Sequence, residues 1–225
     1  MCGRFSIFAD PDRLAEWFDA ALPEEGLRPR YNAAPTQKLP VITNDDSQVI
    51  QLFRWGLVPF WAKGPGIGNR LINARSETVA EKPAYRAAFK HRRCLVLADG
   101  FYEWQKTSGG KVPMRIVLKS GDPFAFAGLW ETWTPPEGDP LRTFTIITTT
   151  PNELLAPIHN RMPVILQKEH EAIWLDDAAE PTIWLDMLRA YPAGEMTAYP
   201  VSTLVNRPVN DDPSVVARVE RGRLF

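Results

Sequence analysis

The sequence predicts one α+β domain with a mainly antiparallel, barrel-like sheet and peripheral helices. Three observations predict it. Segments of β type outnumber helical ones, the two kinds do not alternate as the crossovers of a parallel sheet would require, and no internal repeat or low-complexity linker divides the 225 residues. A single domain is therefore expected over 1–225, with 206–225 as a C-terminal tail.

The elements follow in order. Asp10-Pro11 reads as an N-cap with proline at the first helical position. Leu14, Trp17, Phe18 and Ala21 then fall at i, i+3, i+4 and i+7, which predicts an amphipathic helix over 11–21, ended by Leu22-Pro23. Residues 31–36 (Tyr-Asn-Ala-Ala-Pro-Thr) form a turn-rich loop ahead of strands near 40–43 and over 48–55. Pro83 opens a short helix through 90. Strands are expected at 94–98, 101–105, 112–119, 124–130, 143–149 and 162–166, and two helices over 168–175 and 182–188, where apolar residues recur at helical spacing.

An apolar share of 44% with 24% charged residues belongs to a folded chain, not a disordered one. Cys2 and Cys94 alone make no disulfide framework, which points to a reducing, cytoplasmic compartment. Apolar runs are too short to span a membrane, and the N-terminus lacks an apolar stretch of signal-peptide length. The net charge of −1 hides an asymmetry. Between Arg54 and Arg93 nine basic residues face two acids, so this stretch is +7 and the rest of the chain is −8. It also carries Trp55, Phe60 and Trp61 beside three glycines. The segment is either a solvated basic face or a groove for single-stranded nucleic acid, in which cations hold phosphates and rings stack on bases.

Trimming of Met1 would leave Cys2 with an α-amine and a thiol two carbons apart. Their ordinary pKa values are about 7.7–8.0 and about 8.5, so a fraction of each is nucleophilic near neutrality. Such an aminothiol either attacks an amide through sulfur or captures an aldehyde as an imine that the thiol closes into a thiazolidine, an intramolecular step favoured by proximity. The alternative is a small residue at a frayed end. Glu103, in Gly100-Phe101-Tyr102-Glu103-Trp104, is either a wet-face carboxylate or a buried one with a raised pKa suited to proton transfer. His159, between Pro157 and Pro163, has the most site-like setting of the three histidines, although a structural role fits too. Asn73, between Ile72 and Ala74, either orients a reacting group or caps a turn. No second ligand pair accompanies His91 and Cys94, so no metal site is expected. The glycines at 64, 66 and 68 lack the lysine and the strand–helix context of a P-loop, and no nucleotide or other cofactor is expected.

Several separated blocks resemble the SOS-response-associated peptidase (SRAP) family, in the family's order and over nearly the whole chain. They are Met1-Cys2-Gly3-Arg4-Phe5, Tyr31-Asn32-Ala33-Ala34-Pro35, Arg54-Trp55-Gly56-Leu57-Val58-Pro59, Ile72-Asn73-Ala74-Arg75-Ser76-Glu77-Thr78, Ala98-Asp99-Gly100-Phe101-Tyr102-Glu103-Trp104, Thr145-Ile146-Ile147-Thr148-Thr149 and Ile158-His159-Asn160-Arg161-Met162-Pro163. The resemblance implies a sensor of abasic sites in single-stranded DNA that crosslinks as a thiazolidine. Cys2 would supply amine and thiol, Asn73 would position the N-terminus or the sugar, Glu103 would shuttle protons, and His159 would help open the abasic sugar to its aldehyde. Gly3, Arg4, Asn32, Pro35, Trp61, Arg75, Thr148 and Arg161 would hold the DNA backbone or stack beside the lesion. A monomer suffices for this chemistry, and the protein would join the nucleoid when bound to DNA. Peptidase in the family name fits removal of Met1, by itself or by another enzyme. Two other classes stay open: an N-terminal-nucleophile amidohydrolase using Cys2 on a side-chain amide, and a non-catalytic single-strand-binding module.

Overall fold

The structure, a computed structural model, describes residues 2–219; Met1, with its expected removal, and residues 220–225 of the expected tail lie outside the described part. Among the described residues, twelve strands and four α-helices run in the order β1 (Phe5–Ile7), α1 (Pro11–Phe18), β2 (Arg30–Ala33), β3 (Lys38–Thr43), β4 (Asp46–Trp55), β5 (Asn73–Arg75), α2 (Arg86–His91), β6 (Arg93–Ala98), β7 (Gly100–Thr107), β8 (Gly110–Leu118), β9 (Phe124–Trp133), β10 (Leu141–Thr149), β11 (Met162–Pro163), α3 (Glu171–Leu175), α4 (Pro181–Met187) and β12 (Met196–Pro200). They form one compact α+β domain.

Strands β10, β4, β3, β6 and β9 close into a five-stranded barrel, because β9 pairs with β10 as well as with β6. Strands β5 and β11 attach to β10, and a second sheet runs β12-β8-β7-β1-β2. Among the described residues, the strands named above pair antiparallel except β10 with β4 and with β5. The barrel packs its strands tightly. At Gly128, opposite Cys94 in the ladder, an added Cβ would lie 2.8 Å from the Cys94 sulfur, so this thiol is core filler. Phe5 joins the two sheets, its ring 5.1 Å from Trp55 and 5.7 Å from Phe126. Each such aromatic removes enough apolar surface from water to contribute about 2–3 kcal/mol.

Helix α1 is capped as its sequence requires, the Asp10 carboxylate accepting from the N–H groups of Asp12 and Arg13. It stops at Phe18, short of 21, because Asp19 turns left-handed (φ 49°) and Ala21 bridges to Val49 at the end of the barrel. Four strands were not expected. Part of the predicted loop at 31–36 is strand β2, since Ala33 pairs with Phe5, and β1, β5 and β12 are likewise short, at three, three and five residues. The expected strand over 162–166 is regular only at Met162–Pro163, and α2 begins at Arg86, not at Pro83. The expected tail is packed as far as Val219: Val215 is buried, and the Asp211 carboxylate accepts from the N–H groups of Tyr31 and Asn32.

The basic stretch does not form one face. Arg93 is wholly buried, its guanidinium spent on the carbonyls of Trp174, Phe89 and Lys90, on Asp177, and on the face of Trp184 at 3.5 Å. Arg92 pairs with Glu131 at 2.9 Å. Both dock helices and loops to the barrel, because long cationic side chains also pack.

Candidate functional site

One strand gathers several of the candidate residues. In the ladders of β10, Ile146 faces Asn73, Thr148 faces Arg75, and Thr148 also faces Pro163 from the other side. Residues 73–78 and 159–163, far apart in sequence, therefore meet at the end of a barrel strand. The second sheet brings Cys2 and Glu103 together: β1 lies beside β7, and the Tyr102 N–H donates to the Arg4 carbonyl at 3.0 Å, which sets Cys2 near Glu103.

Cys2 is buried, and its thiol points to the Arg4 carbonyl at 3.8 Å. Burial first, then the charge of Glu103, pushes this thiol well above its ordinary range. Asn73 grips the same residue, its Nδ2 donating to the Cys2 carbonyl at 3.0 Å and to the Ile72 carbonyl at 2.8 Å. Glu103 is 3% exposed, and burial raises its carboxyl to about 7, where it can take or give a proton near neutrality. The His159 ring is half-buried, which lowers its pKa and favours the neutral form. His159 Nδ1 lies 3.1 Å from the Arg161 backbone nitrogen and 3.3 Å from the Arg161 carbonyl, which fixes the ring against its own loop. Gln105 ties the two halves together, donating from β7 to the Pro157 carbonyl at 3.3 Å.

Two depressions flank this centre. On one side a cleft of about 610 Å³ is lined by Trp61, Leu71, Asn73, Arg75, Lys82 and Tyr85. On the other, His159, Asn160, Trp104 and Lys106 line a second. Trp61 is 50% exposed beside the still more exposed Phe60. Their loop is fixed at its neck, where Gly56 (φ 121°) and Gly68 come so close that a Cβ on Gly56 would meet the Gly68 carbonyl oxygen at 2.6 Å.

The resemblance sets Asn32 and Thr148 against DNA, but the structure buries both. The Asn32 amide donates to the carbonyls of Val205, Arg207 and Asn210, and its oxygen accepts from Arg4 at 2.7 Å. It is a bracket for Arg4, which also donates to the Val205 carbonyl at 2.6 Å. The Thr148 hydroxyl donates to the Ala74 carbonyl at 3.2 Å. Arg75 is exposed; Gly3, Pro35 and Arg161 are half-buried. Pro35 stands on a separate turn, whose next residue, Thr36, is left-handed (φ 75°). Among the described residues, no group of three or more His, Cys, Asp or Glu side chains is arranged to hold a metal ion, and no helix is long and apolar enough to cross a membrane.

A family model described as SOS response associated peptidase (SRAP) matches residues 1–208. The chain belongs to the SRAP family. Abasic site processing protein YoqW of Bacillus subtilis (strain 168) is 49% identical over 96% of this chain and 99% of its own. Abasic site processing protein HMCES of Gallus gallus is 36% identical over 92% of this chain and 70% of its own. Among solved structures, a Bacteroides thetaiotaomicron protein matches with a TM-score of 0.90 at 29% identity, covering 97% of this chain and all of that one.

Two further residues of this SRAP chain belong to the site geometry. Tyr85 donates its hydroxyl to the Asn73 carbonyl at 2.9 Å, and its burial pushes the phenol up to about 12, so it stays a donor. Glu77 holds Arg161 through Nη1 and Nη2. A lone tyrosine in a charged stretch has no period to reveal it. Glu77 stands within a family block, yet only the fold brings it to Arg161.

Proposed function

We propose that this protein captures abasic sites in single-stranded DNA as a thiazolidine crosslink at Cys2. The observation that carries the reading is Cys2 itself, gripped by Asn73 and set near a carboxyl whose pKa lies near neutrality, between two clefts that carry aromatic and basic side chains. The names of the SRAP relatives, abasic site processing proteins, support the choice of lesion.

The chemistry begins once Met1 is removed and the Cys2 nitrogen becomes an amine. His159 moves the proton from the hydroxyl of the closed sugar to its ring oxygen, which frees the aldehyde. The amine adds to that carbonyl, and Glu103 donates the proton that lets water leave, forming the imine in its protonated, iminium form. Glu103, now a carboxylate, takes the thiol proton while sulfur bonds to the iminium carbon; the ring nitrogen keeps the proton it already carries, and Glu103 ends protonated as it began. One water is lost overall, and the adduct is a five-membered ring. Burial of the thiol is consistent with this order, because Cys2 stays S–H until a carbonyl is in place. Arg75 and Arg161 hold phosphates, and Trp61 fills the gap left by the missing base without the cost of extruding one. The protein acts as a monomer in the cytoplasm and joins the nucleoid when bound.

The test is incubation of processed protein with a single strand containing one abasic site. A denaturation-resistant adduct is expected with the wild type, and none with Cys2→Ser unless the imine is reduced. Ammonia release from glutamine without any adduct would favour the amidohydrolase instead.

A further inference from the structure

We propose that Glu77 competes with DNA phosphate for Arg161, occupying its guanidinium in the unbound protein and yielding it to a bound strand. This rests on the reading above, which gives Arg161 to the DNA backbone. The pair is fork on fork: Nη1 and Nη2 of Arg161 each reach one oxygen of the Glu77 carboxylate, the second at 2.9 Å. A phosphate offers the same two-oxygen face, so both anions fit one site and exclude each other.

Two features make Glu77 a competitor and not a strut. Arg161 has its own supports, since Nη2 also donates to the Thr148 carbonyl and its backbone N–H donates to His159. The guanidinium therefore keeps its place when the carboxylate leaves. Exposure is also unequal: the Arg161 side chain is 13% exposed and that of Glu77 is 48% exposed. The carboxylate is the partner that returns to water at little cost, and an ion pair so exposed is a weak one. Hydrogen bonding from Arg161 holds the Glu77 carboxyl below its ordinary range, so it is ionised at neutral pH and repels an approaching phosphate. A lesion-free strand must displace it by backbone contacts alone, whereas an abasic strand adds a covalent bond. Glu77 thus sharpens the preference for damaged DNA.

The experiment measures fluorescence anisotropy of a lesion-free single-stranded oligonucleotide with the full chain, in wild type, Glu77→Gln, Glu77→Ala, Arg161→Ala and the Glu77→Ala/Arg161→Ala double variant. Both Glu77 variants are expected to bind about fivefold more tightly at low salt, the scale of a partly exposed ion pair. The gain should vanish in the Arg161→Ala background. Unchanged or weaker binding by Glu77→Gln, whose shape preserves the fold, overturns the proposal. So does a gain that persists without Arg161, since it would be a net-charge effect. Adduct formation by the wild type on an abasic strand is scored separately: its absence removes the crosslinking reading, while the anisotropy still decides the competition.

Discussion

Glu103 shows how one environment sets both chemistry and cost. Its folded pKa of about 7 exceeds the usual unfolded value of about 4.3, so the folded state binds the extra proton between them. Ionising the buried carboxyl therefore removes stability as pH rises through that window, and the loss is complete above about 7. Glu103→Gln is expected to melt higher than wild type at pH 8, at about 2–4 °C per kcal/mol for a chain of this size, and nearly level with it at pH 4.5. The same variant should slow adduct formation about 100-fold or more and abolish the bend in rate near pH 7. Thermal melts at the two pH values and a rate–pH profile check both. At this scale the sequence was informative where chemistry is intrinsic, as at Cys2 with its paired nucleophiles. It left Glu103, His159 and Asn73 ambiguous, because burial and partners decide their roles and neither is a property of the local string.

Among elements, β10 matters most, since its two flanks collect Asn73, Arg75 and the segment that follows His159. The aromatic loop depends on the barrel as well. Trp133 donates its indole N–H to the Ala62 carbonyl at 2.8 Å. Trp133→Phe is expected to loosen this loop, weakening single-strand binding about fivefold while lowering Tm by no more than about 5 °C. Anisotropy and a melt on the same variant measure the split. Long apolar strands such as β6 and β9 were legible because continuous burial leaves a continuous apolar run. The short strands β1, β2, β5 and β12 were not, for three to five residues hold too little period and their partners lie far away in sequence. Helix α1 had a clear start, but its end is set by the bridge from Ala21 to Val49, a tertiary contact.

For the molecule as a whole, a net charge of −1 gives no general attraction to DNA, so binding must come from a few placed cations. The +7 stretch overstated that set, because Arg92 and Arg93 are committed to the fold. With Arg75 and Arg161 as principal phosphate contacts, affinity for a single strand should fall with log salt at a slope near −1.4, and Arg75→Ala should flatten it by about 0.7. Titrations at four ionic strengths test this. The central claim concerns a bond, and the intact mass of the product tests it most directly. Processed protein mixed with a single strand bearing one abasic site should give, without reductant, a denaturation-resistant species. Its mass should equal protein plus DNA minus one water, with the linkage mapped to Cys2. No such species from fully processed protein, or a linkage at any other residue, would contradict the account.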